Sequence, residues 1–226
     1  MKKNNLFTKN NIQGKYLNKV SLKKFSKDFK KIFFDIEEDI RNSKKTLNTI
    51  NQKMHFNFKF KDLDKFKKFK KIAIIGMGGS ILGAEAISSF LRKKIKKKIY
   101  FFDDLNETKI LDFKKKEKLN KILFLIISKS GNTVETLTNS FALNIIKKNS
   151  TNIIIISEKK NNYLFSLSKK FNLFYIEHKA HIGGRYSVLS EVGVIPAYLM
   201  GLNILKLKSN INKFLRGKDK LFLRES

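Results

Sequence analysis

Residues 121–136, KILFLIISKSGNTVET, constrain the fold more than any other stretch of this chain. Residues 122–127 form an unbroken apolar run, too short to cross a bilayer and suited to a parallel strand buried on both faces. The run ends directly in Ser128, Ser130, Asn132 and Thr133, with Gly131 among them free to take a positive φ. Val134, Leu137, Phe141, Leu143 and Ile145 follow at helical spacing, with Glu135 at the start. A strand that passes through small hydroxyl residues into a helix N-terminus offers unpaired backbone N–H groups and the positive end of a helix dipole. Both suit an anion. The same hydroxyls also suit the plain work of capping the helix, and the local sequence leaves the two uses open.

The pattern repeats on either side. Residues 72–75 read as a strand, followed at once by Gly76, Gly78 and Gly79, and Ser80 leads into Leu82, Ala86, Ile87, Phe90 and Leu91 at helical spacing. A strand over 99–103, a helix over 109–118, a strand over 152–157, a helix over 163–171 and a strand over 173–176 complete the alternation. Strand and helix alternating at this spacing predict an α/β fold, a parallel sheet with helices on both faces. Ligands of such sheets bind beyond the carboxyl ends of the strands. Residues 76–80 and 128–133 both fall at that edge. The turn GMGGSILG lacks the GxGxxG spacing of dinucleotide binders and the lysine of a P-loop. Gly78 and Gly79 there imply a close backbone approach, to a ligand or to a neighbouring strand.

A third stretch, HIGGRYSVLSEVGVIP over 181–196, places Gly183 and Gly184 before Arg185, and a guanidinium presented on such a turn suits an oxyanion or phosphate. An ordinary salt-bridged arginine is the alternative. His178 and His181 are three residues apart, but no acidic partner or third ligand stands at metal-binding spacing, so no metal site is expected. At the other end, residues 1–20 are polar and irregular and are expected to be loosely ordered. An amphipathic helix is expected from Ser21, with Phe25, Phe29, Ile32, Ile36 and Ile40 on one stripe and Leu47 and Ile50 continuing it. Residues 55–69 read as an extended connector and a short helix, packed against the domain that follows.

The formal charge is +30, from 49 Lys+Arg against 19 Asp+Glu. Taken alone this points to nucleic acid or an anionic surface. The lysines are spread along the whole chain, however, with abundant Asn, Ile and Phe, so the excess reads as compositional bias at solvent-facing positions. Nucleic acid is therefore not the expected partner, although a positive field would draw in a phosphorylated substrate. There is no cysteine, the N-terminus lacks the apolar segment of a secretory signal, and no apolar run is long enough to span a bilayer. A cytoplasmic protein with no membrane partner is expected.

Taken together, GMGGSILG (76–83), SKSGNTVET (128–136) and GGRYSVLSEVG (183–193) resemble the phosphoglucose isomerase (glucose-6-phosphate isomerase) family in residues, order and spacing. SxSGxT turns are widespread in sugar-isomerase (SIS) domains, whereas Lys129 and the GGRYS stretch narrow the resemblance to the isomerases. It implies an SIS-type sugar-phosphate-binding domain over 69–208, preceded by a helical segment over 1–68 and followed over 209–226 by the start of a connection to a second domain. Ser128, Lys129, Ser130 and Thr133 would then hold a substrate phosphate, Gly79 and Ser80 would contact the sugar or phosphate, and Arg185 would stabilise charge on the reacting carbons. The implied reaction interconverts glucose 6-phosphate and fructose 6-phosphate through an enediol, a step of glycolysis and gluconeogenesis, without metal or cofactor, in a homodimer when complete.

In the family the glutamate base, a histidine and a lysine lie in a second SIS domain. Neither Glu135 nor Glu191 matches the motif of that base, and neither His178 nor His181 that of the histidine. The chain is therefore expected to carry the phosphate-binding half and to be inactive alone, with apolar residues of 192–205 left uncovered. The alternative is a stand-alone SIS-type module that binds a sugar phosphate without catalysis.

Overall fold

The computed structural model describes residues 19–209. Its centre is a five-stranded, all-parallel sheet in the order β2-β1-β3-β4-β5, with β1 Lys71–Ile75, β2 Lys98–Phe102, β3 Ile122–Ile127, β4 Ile153–Ser157 and β5 Phe174–Glu177. β3, the unbroken apolar run, is buried at every position, as is β4. The expected α/β architecture is the one found, with strand ends shifted by a residue at β1, β2, β4 and β5.

Side chains on the sheet alternate between two cores, as the two-residue period of a strand requires. Ile72, Ile74, Leu123, Leu125, Ile154 and Ile156 face one side, where they meet Leu63 and Phe66 of the N-terminal segment. Ile81, Ala84 and Ile87 from the glycine turn and α3 (Leu82–Phe90) join them there, with Val194 and Ile195 of α7 (Glu191–Leu199). Ala73, Ile75, Phe124, Ile126, Ile153 and Ile155 face the other. There they meet Ile110 and Phe113 of α4 (Glu107–Lys116), Leu137 of α5 (Val134–Ala142) and Leu164 of α6 (Tyr163–Lys170).

Two expectations for the flanks are corrected. Residues 192–205 are not an uncovered apolar surface. Val192, Val194, Ile195, Ala197, Leu199, Met200, Leu202 and Ile204 are all buried in the first core, and Leu205 is exposed. α7 is apolar on nearly every side because it is enclosed on nearly every side. The stripe on α1 (Lys19–Arg41) also runs differently: Phe33 and Ile40 are buried, whereas Phe25 and Ile32 are exposed. Phe29, Phe33, Ile36 and Ile40 keep the 4-3-4 spacing of one helix face, which the choice of Ile32 over Phe33 missed.

Nor does α1 continue through Leu47 and Ile50. It stops at Arg41, and a separate 3-10 turn, Thr46–Ile50, follows. Asn48 and Asn51 both donate side-chain N–H to the Ile40 carbonyl, at 2.8 and 3.2 Å, and so satisfy a backbone group that the ending helix leaves open. After it come a short α2 (Phe60–Leu63) and a 3-10 turn, Asp64–Phe66, in agreement with a connector and short helix over 55–69. The segment reaches the third motif, where Thr46 Oγ1 donates to the His181 carbonyl at 2.8 Å. Residues 1–18, expected to be loosely ordered, lie outside the described residues.

At the opposite edge of the sheet, Glu117 follows α4 and gathers Lys71 of β1 with Lys98 and Tyr100 of β2. Hydrogen bonds from Lys71 and then Tyr100 hold its carboxyl down at about 2, below the ordinary 4.5. A depressed carboxylate contributes stability that is fully present above its unfolded value and is lost as pH falls through the folded one. Glu117→Gln should therefore lower the melting temperature near neutral pH, and the gap to the wild type should close as pH falls from about 4.5 towards about 2. Melts followed by circular dichroism across that range test this. A gap independent of pH would assign the loss to packing.

Candidate functional site

In the order β2-β1-β3-β4-β5 the winding direction reverses between β1 and β3, the switch point beyond which sheets of this kind take their ligands. Ile75 of β1 lies beside Ile126 of β3, so the glycine turn and the hydroxyl turn leave the sheet side by side. Gly76 stands where a β-carbon would lie 2.8 Å from the Ile127 carbonyl oxygen. This is the close approach to a neighbouring strand that the glycines implied, but it falls on Gly76 rather than on Gly78 or Gly79.

Beyond β3, three hydroxyls converge. Ser128 Oγ lies 2.8 Å from Thr133 Oγ1 and 3.4 Å from Ser130 Oγ, and the last two are 3.5 Å apart. Gly131 makes the loop possible at φ +70°, with its N–H donating to Ser128 Oγ at 3.1 Å. Thr133 is the N-cap residue of α5, yet its side chain makes no capping bond. Its hydroxyl turns to Ser128, which leaves the first turn of α5 without a side-chain acceptor and decides the open question against capping at this residue. The loop is held from behind: Glu158 N–H donates to the Lys129 carbonyl, Leu164 N–H to the Gly131 carbonyl and Tyr163 N–H to Asn132 Oδ1.

Lys129 is not turned into this triangle. Its ammonium donates to the Ala180 carbonyl at 2.7 Å and lies 3.6 Å from Glu158, which also pairs with Lys160 at 2.5 Å. Burial works to raise the Glu158 carboxyl, but the hydrogen bond and charge of Lys160, with the charge of Lys129, outweigh it and hold the carboxyl below the ordinary range. Lys129 thus ties the hydroxyl turn to the loop that leads into the third motif.

That third motif forms a 3-10 turn, Gly184–Leu189, lying against the glycine turn. A β-carbon on Gly79 would stand 2.3 Å from the Gly184 carbonyl oxygen, so the close approach at Gly79 is to the third motif. Ser187 locks the contact, its hydroxyl lying 3.0 Å from the Gly79 carbonyl and 2.6 Å from that of Gly184. Ser80 sits in the same turn, half-buried and with no hydrogen-bond partner for its hydroxyl among the described residues. Arg185 follows Gly184, exposed, and makes no ion pair among the described residues, which removes the salt-bridge alternative.

Sequence reasoning missed the anchor of this loop. His178 does have an acidic partner: Glu191, at the start of α7, lies 2.7 Å from His178 Nδ1 and accepts the Lys179 N–H at 2.7 Å. Both side chains are 1% exposed, and burial that would raise the Glu191 carboxyl is outweighed by His178, which lowers it. The two are 13 residues apart. No local spacing rule pairs them. Among the described residues no group of His, Cys, Asp and Glu could hold a metal ion.

A doubly wound parallel sheet with a hydroxyl-lined strand-to-helix turn at its switch point defines an α/β domain of the SIS type. The family model for phosphoglucose isomerase matches residues 10–222, and the chain belongs to that family. It is 37% identical over 158 residues to a protein of Methanococcus maripaludis named "Probable glucose-6-phosphate isomerase", covering 66% of this chain and 36% of that one. Against the glucose-6-phosphate isomerase of Methanocaldococcus jannaschii the identity is 36% over 151 residues, covering 65% and 37%. The chain thus spans just over a third of the length of these relatives. Among solved structures, a Thermus thermophilus protein superposes with a TM-score of 0.64 at 20% identity over 89% of this chain and 53% of that one. A Chlamydia trachomatis glucose-6-phosphate isomerase superposes at 0.53 and 22% over 70% and 30%. These two likenesses concern the fold.

The meeting of Gly79 with Gly184 is lopsided, since a β-carbon on Gly184 would lie an ordinary 3.7 Å from Gly79 Cα. Gly79→Ala should therefore cost about 1–3 kcal/mol by overpacking, and Gly184→Ala much less. Urea unfolding of the two variants measures this, and equal losses would show that the turns do not depend on that contact.

Proposed function

We propose that the hydroxyl turn holds the phosphate of a sugar phosphate, and that the chain supplies the phosphate-binding half of a glucose-6-phosphate isomerase. The observation that carries the reading is the triangle of Ser128, Ser130 and Thr133 over the side-chain-uncapped N-terminus of α5. Hydroxyls and free N–H groups on one helix dipole are what a phosphate dianion needs, and hydrogen bonds to a charged oxygen are the strong kind. Lys129 contributes through its backbone and by fixing the loop, while Gly79 and Ser80 border the sugar from the neighbouring turn.

Arg185 acts at the carbons that react. Moving a proton between C1 and C2 through an enediol places negative charge on the adjoining oxygens, and a guanidinium beside them lowers the energy of that state. The base that moves the proton is not among the residues assigned here. It lies, in this reading, in the part of the family's length that this chain does not span, so residues 69–208 bind and polarise the substrate without completing the reaction. The assembled enzyme would be a cytoplasmic homodimer.

Fructose 6-phosphate should raise the melting temperature of the chain, since a ligand that binds the native state alone stabilises it, and unphosphorylated fructose should not. Thr133→Val keeps the shape and removes one hydroxyl, and should weaken binding by about 1–3 kcal/mol in calorimetry. Unchanged affinity would remove Thr133 from the site.

Arg185→Ala should weaken 6-phosphogluconate, whose carboxylate at C1 resembles the charge of the enediolate, by more than it weakens fructose 6-phosphate. Equal losses for both would mean that Arg185 serves the phosphate instead.

A further inference from the structure

Lys208, on α8 (Ile204–Ser209), is the one buried lysine among the described residues, at 4% exposure. Its ammonium lies 3.9 Å from the Met54 sulfur and 5.3 Å from the centre of the Phe56 ring, and makes no ion pair among the described residues. It lines a cavity of about 610 Å³ walled by Met54, Phe56, Phe60, Leu202 and Ile204.

Several polar atoms at the same cavity already have partners. The Gln52 amide donates to the Ser209 carbonyl, the Asn203 amide oxygen accepts from Lys206 N–H, and the Tyr198 hydroxyl donates to Asp64. The charge that acts on Lys208 from outside its helix is a second cation, Lys179, whose own ammonium donates to the His55 carbonyl. Burial first, and then Lys179, push the Lys208 ammonium down to about 8 from its usual 10.5.

A buried charge without a partner is costly, and the groups nearest this ammonium, the Met54 sulfur and the Phe56 ring, offer it no counter-charge. A sugar or an inorganic phosphate would lose more hydration against Met54, Phe56, Phe60, Leu202 and Ile204 than the few polar groups of the lining replace. What the cavity complements is a single carboxylate on an apolar body. We propose that it binds an apolar monocarboxylate, with the carboxylate on Lys208 and the hydrocarbon or aryl portion against Met54, Phe56, Phe60 and Leu202. This site is independent of the sugar-phosphate reading.

The test is calorimetry on the 226-residue chain with 4-phenylbutanoate, against 4-phenylbutan-1-ol as its uncharged match. The acid should bind at least about tenfold more tightly than the alcohol near neutral pH, a difference of about 1.4 kcal/mol. Lys208→Met should abolish that preference while leaving the alcohol unchanged, because the new side chain is apolar and of similar length. In the wild type the acid should weaken as pH rises through about 8, where the ammonium loses its proton. Surface lysines would hold it to about pH 10. No binding, equal binding by Lys208→Met, or a preference that persists to about pH 10 would each overturn the proposal. Should Lys208→Met fail to fold, the pH profile of the wild type distinguishes Lys208 from the surface lysines by itself.

Discussion

Gly79 and Gly184 meet backbone to backbone, and the arrangement of the carboxyl edge depends on that contact. Parallel pairing of β1 with β3 places the glycine turn beside the hydroxyl turn, but nothing in the sheet fixes the third motif, which follows β5 at the far edge. The loop has to cross back over β4 and β3 to reach the switch point. It is held along the way by Lys129 on the Ala180 carbonyl, by Thr46 on the His181 carbonyl and by the buried His178–Glu191 pair. At its end Ser187 lies within hydrogen-bond distance of carbonyls on both sides of the glycine contact. A loop restrained at so many points holds the Arg185 backbone in place, and among the described residues its guanidinium has no hydrogen-bond or ion-pair partner.

Local conformation writes itself into the sequence, and tertiary packing of this kind does not. β3 and β4 are legible because a strand buried on both faces has to be apolar at every position, so its run length alone marks it. The hydroxyl turn is legible because residues 128–133 are contiguous and their types are chosen by one local conformation. The His178–Glu191 pair is hidden because it joins the end of β5 to the start of α7 through tertiary packing. The burial of α7 and the residues just after it is hidden for a related reason: an all-apolar helix fits both an interior position and an unmet interface, and only its packing against α3, the turn before it and the sheet decides between them. On α1 the period was readable, but the phase between Ile32 and Phe33 depends on the surface beneath it.

The charge of +30 looks different once the acidic residues are located. Glu117 and Glu158 each serve more than one lysine, gathering Lys71 with Lys98 and Lys129 with Lys160. Few acids thus hold the structural pairs, while the remaining lysines decorate solvent-facing positions where a pair would add little. Against that background Lys208 stands apart, since a lysine placed by compositional bias has no reason to be buried among Met54 and Phe56.

A phosphate held by the hydroxyl turn would bear the same charge before, during and after isomerisation. Contacts to it lower the energies of substrate and transition state together, and such uniform binding cannot by itself accelerate the chemical step. The group suited to discriminate between those states is the one near atoms whose charge changes. In the proposed reading that is Arg185, carried on a loop separate from the hydroxyl turn and packed on the glycine turn through backbone contacts. In that reading binding and polarisation would rest on different elements, β3–α5 for the first and the turn before α7 for the second. Their relative position is set by the contact of Gly79 with Gly184 together with the side-chain ties of Lys129, Thr46, Ser187 and the His178–Glu191 pair.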